Sequence, residues 1–150
     1  MRIYFEETEM LIVNKAVAHP WKCDVIGHLT TRFYVAMFDD ASYHFLFSIF
    51  GWAGATDESG ETGWVDVRHV IEYLAEVSAG DVLEIRASLV KIGSKSLTAR
   101  YEMINLGKDE VAATLECICV LFDMKARTGL VISDQLRKMA SKYLERQTGH

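Results

Sequence analysis

Basic residues are in short supply: 16 Lys and Arg stand against 21 Asp and Glu, a net charge of -5. Phosphate-tracking proteins carry a basic excess or stripe, so this balance argues against nucleic acid as a partner. No apolar run reaches membrane-spanning length, and the start MRIYFEETEMLIVNKAV lacks the basic residues and uninterrupted apolar core of a signal peptide. The chain is therefore read as cytoplasmic, with no membrane partner. Repeats, low-complexity tracts and a Gly-rich phosphate loop of the P-loop or dinucleotide type are also missing. Cysteines number three, and Cys117 and Cys119 lie two apart on a candidate strand. They point to one face without the geometry for a mutual disulfide, so reduced thiols are expected. Proline occurs once, at Pro20.

What is present is the composition of one globular domain: 150 residues, 50% hydrophobic and 25% charged. A chain of this length buries about two thirds of the surface its unfolded form exposes. Residues 8 to 18, TEMLIVNKAVA, are β-branched enough for a first strand, which Pro20 stops. From an N-cap at Thr30 or Thr31, Tyr34, Met37, Phe38, Ala41, Phe45 and Ile49 recur at helical spacing up to Gly51. The polar segment 55 to 63, ATDESGETG, reads as a mobile loop that gates a pocket. Beyond it, Val65, Val67, His69, Ile71 and Tyr73 alternate with Asp66, Arg68 and Glu72, the period of a half-buried strand. Two further alternating strands, 83 to 89 and 97 to 103, form a meander, and 111 to 124 is apolar on both faces towards its end, as a central strand is. A surface helix over about 133 to 147 closes the chain, capped by Ser133 or Asp134. One long apolar helix against an antiparallel sheet is an α+β layer architecture.

The segment WKCDVIGHLTTRFYVAMFDDASYHFLFSIFGW resembles the start of hotdog-fold acyl-CoA thioesterases of the 4-hydroxybenzoyl-CoA thioesterase type. In these an Asp and a short Gly-containing turn, often with His, lead into a central helix. YLAEVSAGD at 73 to 81 is similar to the family's second landmark, a strand ending in Gly-Asp. The resemblance covers about residues 8 to 125. It implies a hotdog fold, a small or medium acyl-CoA as substrate, hydrolysis to free acid and CoA, no cofactor beyond the CoA of the substrate, and a homodimer or homotetramer. It assigns Asp24 as attacking carboxylate or general base. Many members carry Asn shortly after the His; here Thr30 and Thr31 stand in that place and join Asp24 and His28 as catalytic candidates.

A thioester carbonyl needs a nucleophile or activated water on one side and hydrogen-bond donors on the other, where negative charge develops. The amides at about Leu29 to Arg32, opening the helix, are such donors. Gly27 permits close approach of backbone and substrate. Read without the resemblance, Asp24 equally closes an Asx-turn, and His28 is equally a substrate-orienting donor or a structural residue. Asp39 and Asp40 offer a mid-helix carboxylate as runner-up acid, Asp40 being also a candidate substrate contact, or else form a solvated face. Tyr34 lines pocket or core. His69 is a core histidine satisfied by hydrogen bonds or a substrate contact. Lys91, Lys95 and Ser96, in the turn KIGSKS, are candidates for the CoA phosphates or a plain solvated hairpin.

Cys23, His28, Cys117 and Cys119 are ligand types that suit zinc, but Cys-x-Cys lacks the two-residue turn usual in zinc sites, and no metal is expected. Two rival functions remain. An enoyl-CoA hydratase on the same fold resembles this chain in its Asp and His, but spaces them by four residues with Asn-Pro between; here the interval is VIG. A non-catalytic acyl-CoA-binding hotdog protein is separated only by turnover, because fold does not fix function.

Overall fold

The computed structural model describes residues 10–53 and 60–146. The elements run β1 (Leu11–Val17), a 3₁₀ turn (Pro20–Lys22), α1 (Thr31–Phe50), β2 (Thr62–Tyr73), β3 (Val82–Ile92), β4 (Ser96–Asn105), β5 (Glu110–Asp123), β6 (Thr128–Gly129) and α2 (Asp134–Ser141). The strands pair antiparallel in the order β1-β3-β4-β5-β2, and the short β6 turns back on the end of β5. The sheet curls around α1, the α+β hotdog architecture. Among the described residues no helix is long and apolar enough to cross a membrane.

The core follows from the two periods. Tyr34, Met37, Phe38, Ala41, Phe45 and Ile49 form the buried stripe of α1. Against it stand Leu83, Ile85, Ala87 and Leu89 of β3, Leu97, Ala99, Tyr101 and Met103 of β4, and Ala113, Leu115, Cys117 and Cys119 of β5. Register stacks them: Leu97 faces Cys119, Ala99 faces Cys117 and Tyr101 faces Leu115. Phe38 and Phe45 meet Tyr101 edge-on, with centroids 6.4 and 5.9 Å apart. Such aromatic pairs add about 0.5–1.5 kcal/mol each beyond the area they bury. Gly51, at φ 68°, ends α1 as a left-handed cap.

Three expectations are corrected. The closing helix ends at Ser141 rather than near 147, because Tyr143 packs edge-on against Phe45 and donates its hydroxyl to the Ser48 carbonyl. The chain then runs beside β3: the Leu89 amide donates to the Tyr143 carbonyl, and the Glu145 amide to the Leu89 carbonyl. Of the expected loop 55 to 63, residues 55–59 lie outside the described residues, and Thr62 and Gly63 already belong to β2. The alternation expected along β2 breaks at a bulge between Asp66 and Arg68. The extra residue, Val67, is exposed, and Asp66 comes onto the inward face opposite Cys119 while His69 stands opposite Cys117.

Candidate active site at the start of the long helix

After β1, Pro20 opens the 3₁₀ turn, and the chain folds back so that Cys23 bridges Leu29. The Lys22 carbonyl accepts from both the Thr30 amide (3.1 Å) and the Thr30 hydroxyl (3.2 Å). This pins residues 23–29 as a loop at the first turn of α1. The segment before β3 clamps it from outside: the Leu29 amide donates to the Val77 carbonyl and the Ala79 amide to the Gly27 carbonyl. Asp81, of the Gly-Asp landmark, holds this clamp, accepting on Oδ2 from the Ser78 amide and from Asn105 Nδ2, both at 2.9 Å.

Asp24 sits exposed at the loop's base. Its Oδ1 accepts from the Ile26 amide (3.0 Å) and the His28 amide (3.1 Å), while Oδ2 makes no hydrogen bond among the described residues. Asx-turn and free carboxylate oxygen therefore coexist in one side chain. Gly27, at φ 80°, completes the turn in a backbone region that side chains strain to enter. His28 points Nε2 to Glu76 Oε2 at 3.5 Å, on the half-exposed surface.

The donor set is narrower than residues 29 to 32, since the Leu29 and Thr30 amides are already used. Among the described residues nothing accepts from the amides of Thr31 and Arg32. The Thr30 hydroxyl is likewise committed to Lys22, and no side chain caps α1, whose N-terminus stays open. Tyr34, one turn in, is buried and meets Tyr73 at 5.0 Å; burial, then Tyr73, pushes its hydroxyl pKa up.

Other expected residues lie elsewhere. Lys91, Lys95 and Ser96 lie at the β3–β4 hairpin, whereas the Asp24 loop docks at the start of β3, at the other end of that 11-residue strand and roughly 30 Å away along it. Within one chain the structure does not bring them to Asp24. Asp40 is exposed, and it is its neighbour Asp39 that lines a cleft between α1 and β2 with Ser42, Tyr43, Trp52, Trp64 and Asp66. Burial, then Asp66 and Asp40, raise the Asp39 pKa, and His69 lowers it. His69 is not a core histidine: its side chain is 31% exposed and hydrogen-bonded to Asp66 at 2.9 Å. Asp66 itself was missed, since strict alternation turns it outward. Cys117 and Cys119 are buried free thiols; burial, then Asp66, raises both, Cys119 to about 12.

A curled antiparallel sheet around one long helix, with a carboxylate-bearing loop pinned at the open helix start, defines a hotdog protein of the thioesterase class. The chain belongs to the thioesterase-like superfamily, whose family model matches residues 18–141. No curated protein matches it significantly in sequence. Its fold is similar to that of a Staphylococcus aureus protein solved in complex with CoA, with a TM-score of 0.81, 17% identity, and 94% of this chain and 89% of that one covered. It is also similar to a 1,4-dihydroxy-2-naphthoyl-CoA thioesterase from Synechocystis (TM-score 0.73, 16% identity, coverage 86% and 93%). A third similar structure is the Escherichia coli protein YbaW (TM-score 0.75, 17% identity, coverage 90% and 100%).

Proposed function

We propose that the protein is an acyl-CoA thioesterase that hydrolyses a small or medium acyl-CoA to the free acid and CoA. The observation that carries this reading is the Asp24 carboxylate, aimed by two amides through Oδ1 and free at Oδ2, on a loop tied to the open N-terminus of α1. Oδ2 takes a proton from the attacking water, or attacks the carbonyl carbon itself. The carbonyl oxygen gathers negative charge as the tetrahedral intermediate forms. The free amides of Thr31 and Arg32, with the positive end of the helix dipole, stabilise that charge. The C–S bond then breaks and the CoA thiolate leaves, protonated by Asp24 in the water route and by solvent in the covalent route, where a water then hydrolyses the acyl-aspartyl anhydride to the free acid and restores the carboxylate. Family membership and the CoA bound by the Staphylococcus aureus protein support a CoA thioester as substrate.

The test is a hydrolysis screen of the purified protein over straight-chain, branched and aromatic acyl-CoA esters, reading released thiol. Turnover of at least one class supports the reading. Tight binding of acyl-CoA without turnover would replace it with the binding-only function.

A further inference from the structure

The bulge in β2 has a chemical consequence apart from the Asp24 loop. By adding one residue between Asp66 and Arg68, it turns Asp66 and His69 to the same inward face, where Cys117 of β5 stands directly opposite His69. Asp66 Oδ2 and His69 Nε2 are 2.9 Å apart. With Cys117 Sγ they form a group of three potential ligand atoms all within 4.8 Å of one another. Asp39, on α1, lines the cleft beside Asp66 but lies outside this group of three. A cleft of about 260 Å³ reaches the group at Asp66, and the side chains of Asp66 and His69 are themselves 36% and 31% exposed.

We propose that Asp66, His69 and Cys117 bind a divalent transition-metal ion of the zinc class, with water completing the coordination. The donor set selects the ion. A thiolate and an imidazole suit zinc and its neighbours, whereas magnesium and calcium take oxygen ligands. Zinc bonds of about 2.0–2.3 Å put tetrahedral ligands about 3.3–3.8 Å from each other, so three donors already within 4.8 Å need to shift only slightly. The sheet ladder holds two of the three donors at paired positions, which fixes their backbones before any ion arrives. Binding replaces the Cys117 thiol proton, released to water, and takes His69 as neutral imidazole. A hydrogen-bonded surface pair of Asp66 and His69 would need no thiol behind it. The exclusion of metal from the Cys-x-Cys spacing does not reach this set, because only one of its ligands comes from that pair.

The test uses the full chain, stripped with a chelator and titrated with Co²⁺ as spectroscopic probe, then with Zn²⁺ against a chromophoric competitor. The expected result is one ion per chain, a thiolate-to-cobalt charge-transfer band, and displacement of cobalt by zinc. Cys117→Ser abolishes the band, Cys119→Ala retains it, and His69→Ala weakens affinity at least about tenfold, since even outer-sphere changes cost that much. His69 is at the surface, so circular dichroism of His69→Ala should match the parent even if Cys117→Ser folds poorly. Absence of binding, a band that survives Cys117→Ser, or unchanged affinity in His69→Ala overturns the proposal. All these readouts are of metal binding, so they stand or fall separately from acyl-CoA hydrolysis.

Discussion

Asp24 and His28 are bonded to each other twice: the Asp24 amide donates to the His28 carbonyl at 2.8 Å, and the His28 amide donates to Asp24 Oδ1 at 3.1 Å. The turn thus fixes the carboxylate through one oxygen and leaves the other without a hydrogen bond among the described residues.

Asp24→Asn keeps an acceptor at Oδ1 for both amides and removes only the charge. Steady-state kinetics on the best acyl-CoA should show kcat lower by at least about a hundredfold, the lower end of general-base contributions. The melting temperature should stay within a degree or two of the parent, and acyl-CoA affinity should be similar. Asp24→Ala loses the turn as well and should melt earlier. If Asp24→Asn kept most of its activity while Asp39→Asn lost it, the helix carboxylate would take over the catalytic assignment.

Gly27 has open space around a hypothetical Cβ but φ 80°. A clash is therefore not the issue, and Gly27→Ala should cost only the left-handed strain, about 1–2 kcal/mol in chemical denaturation. A much larger loss would mean that the loop packs more tightly than its geometry indicates.

Burial, then Asp66 and Asp40, raise the Asp39 pKa, so the folded state holds its proton more tightly than the unfolded chain does. The stability that protonation contributes is full below the ordinary carboxylate range and is lost as pH rises through the raised folded value. Asp39→Asn should therefore melt higher than the parent at neutral pH, and the gap should close on acidification. Melts taken with chelator present, from pH 3 to 8, read this directly.

Strand β2 ends the sheet order, and among the described residues no further strand lies along its outer edge from Val65 to Tyr73. It exposes Val65, Val67 and Val70. An unpaired apolar edge is a template for another strand, and we expect two copies to join there as a homodimer. Light scattering at micromolar concentration should give twice the chain mass, and Val70→Lys should shift it towards monomer. A monomeric parent would remove the expectation.

In the metal-free protein the buried thiols should be inert to alkylation. Burial, then Asp66, pushes Cys117 and Cys119 up, the latter to about 12, so alkylation of folded protein near pH 8 should spare both and mark Cys23 first. Their contribution to stability is present below the ordinary thiol pKa and falls as pH climbs towards 12. Mass spectrometry after iodoacetamide, with and without denaturant, checks the labelling order.

The elements themselves were legible along the chain. The stripe from Tyr34 to Ile49 repeats every turn of one helix, and Leu83 to Leu89 or Leu97 to Met103 alternate within one strand, so local periodicity was enough to write them down. The loop at Asp24 was legible too, because its turn bonds close within five residues. Tertiary structure decided the rest. Which amides at the helix start stay free depends on Val77 and Lys22 carbonyls brought in from outside the helix. The distance from the 91–96 hairpin to Asp24 depends on the direction in which β3 runs. Asp66 reaches His69 and Cys117 through a bulge set by how β2 pairs with β5, some 50 residues further on. A period of two along β2 cannot record a residue that its partner strand leaves unmatched, so that face could be read only once the two strands were side by side.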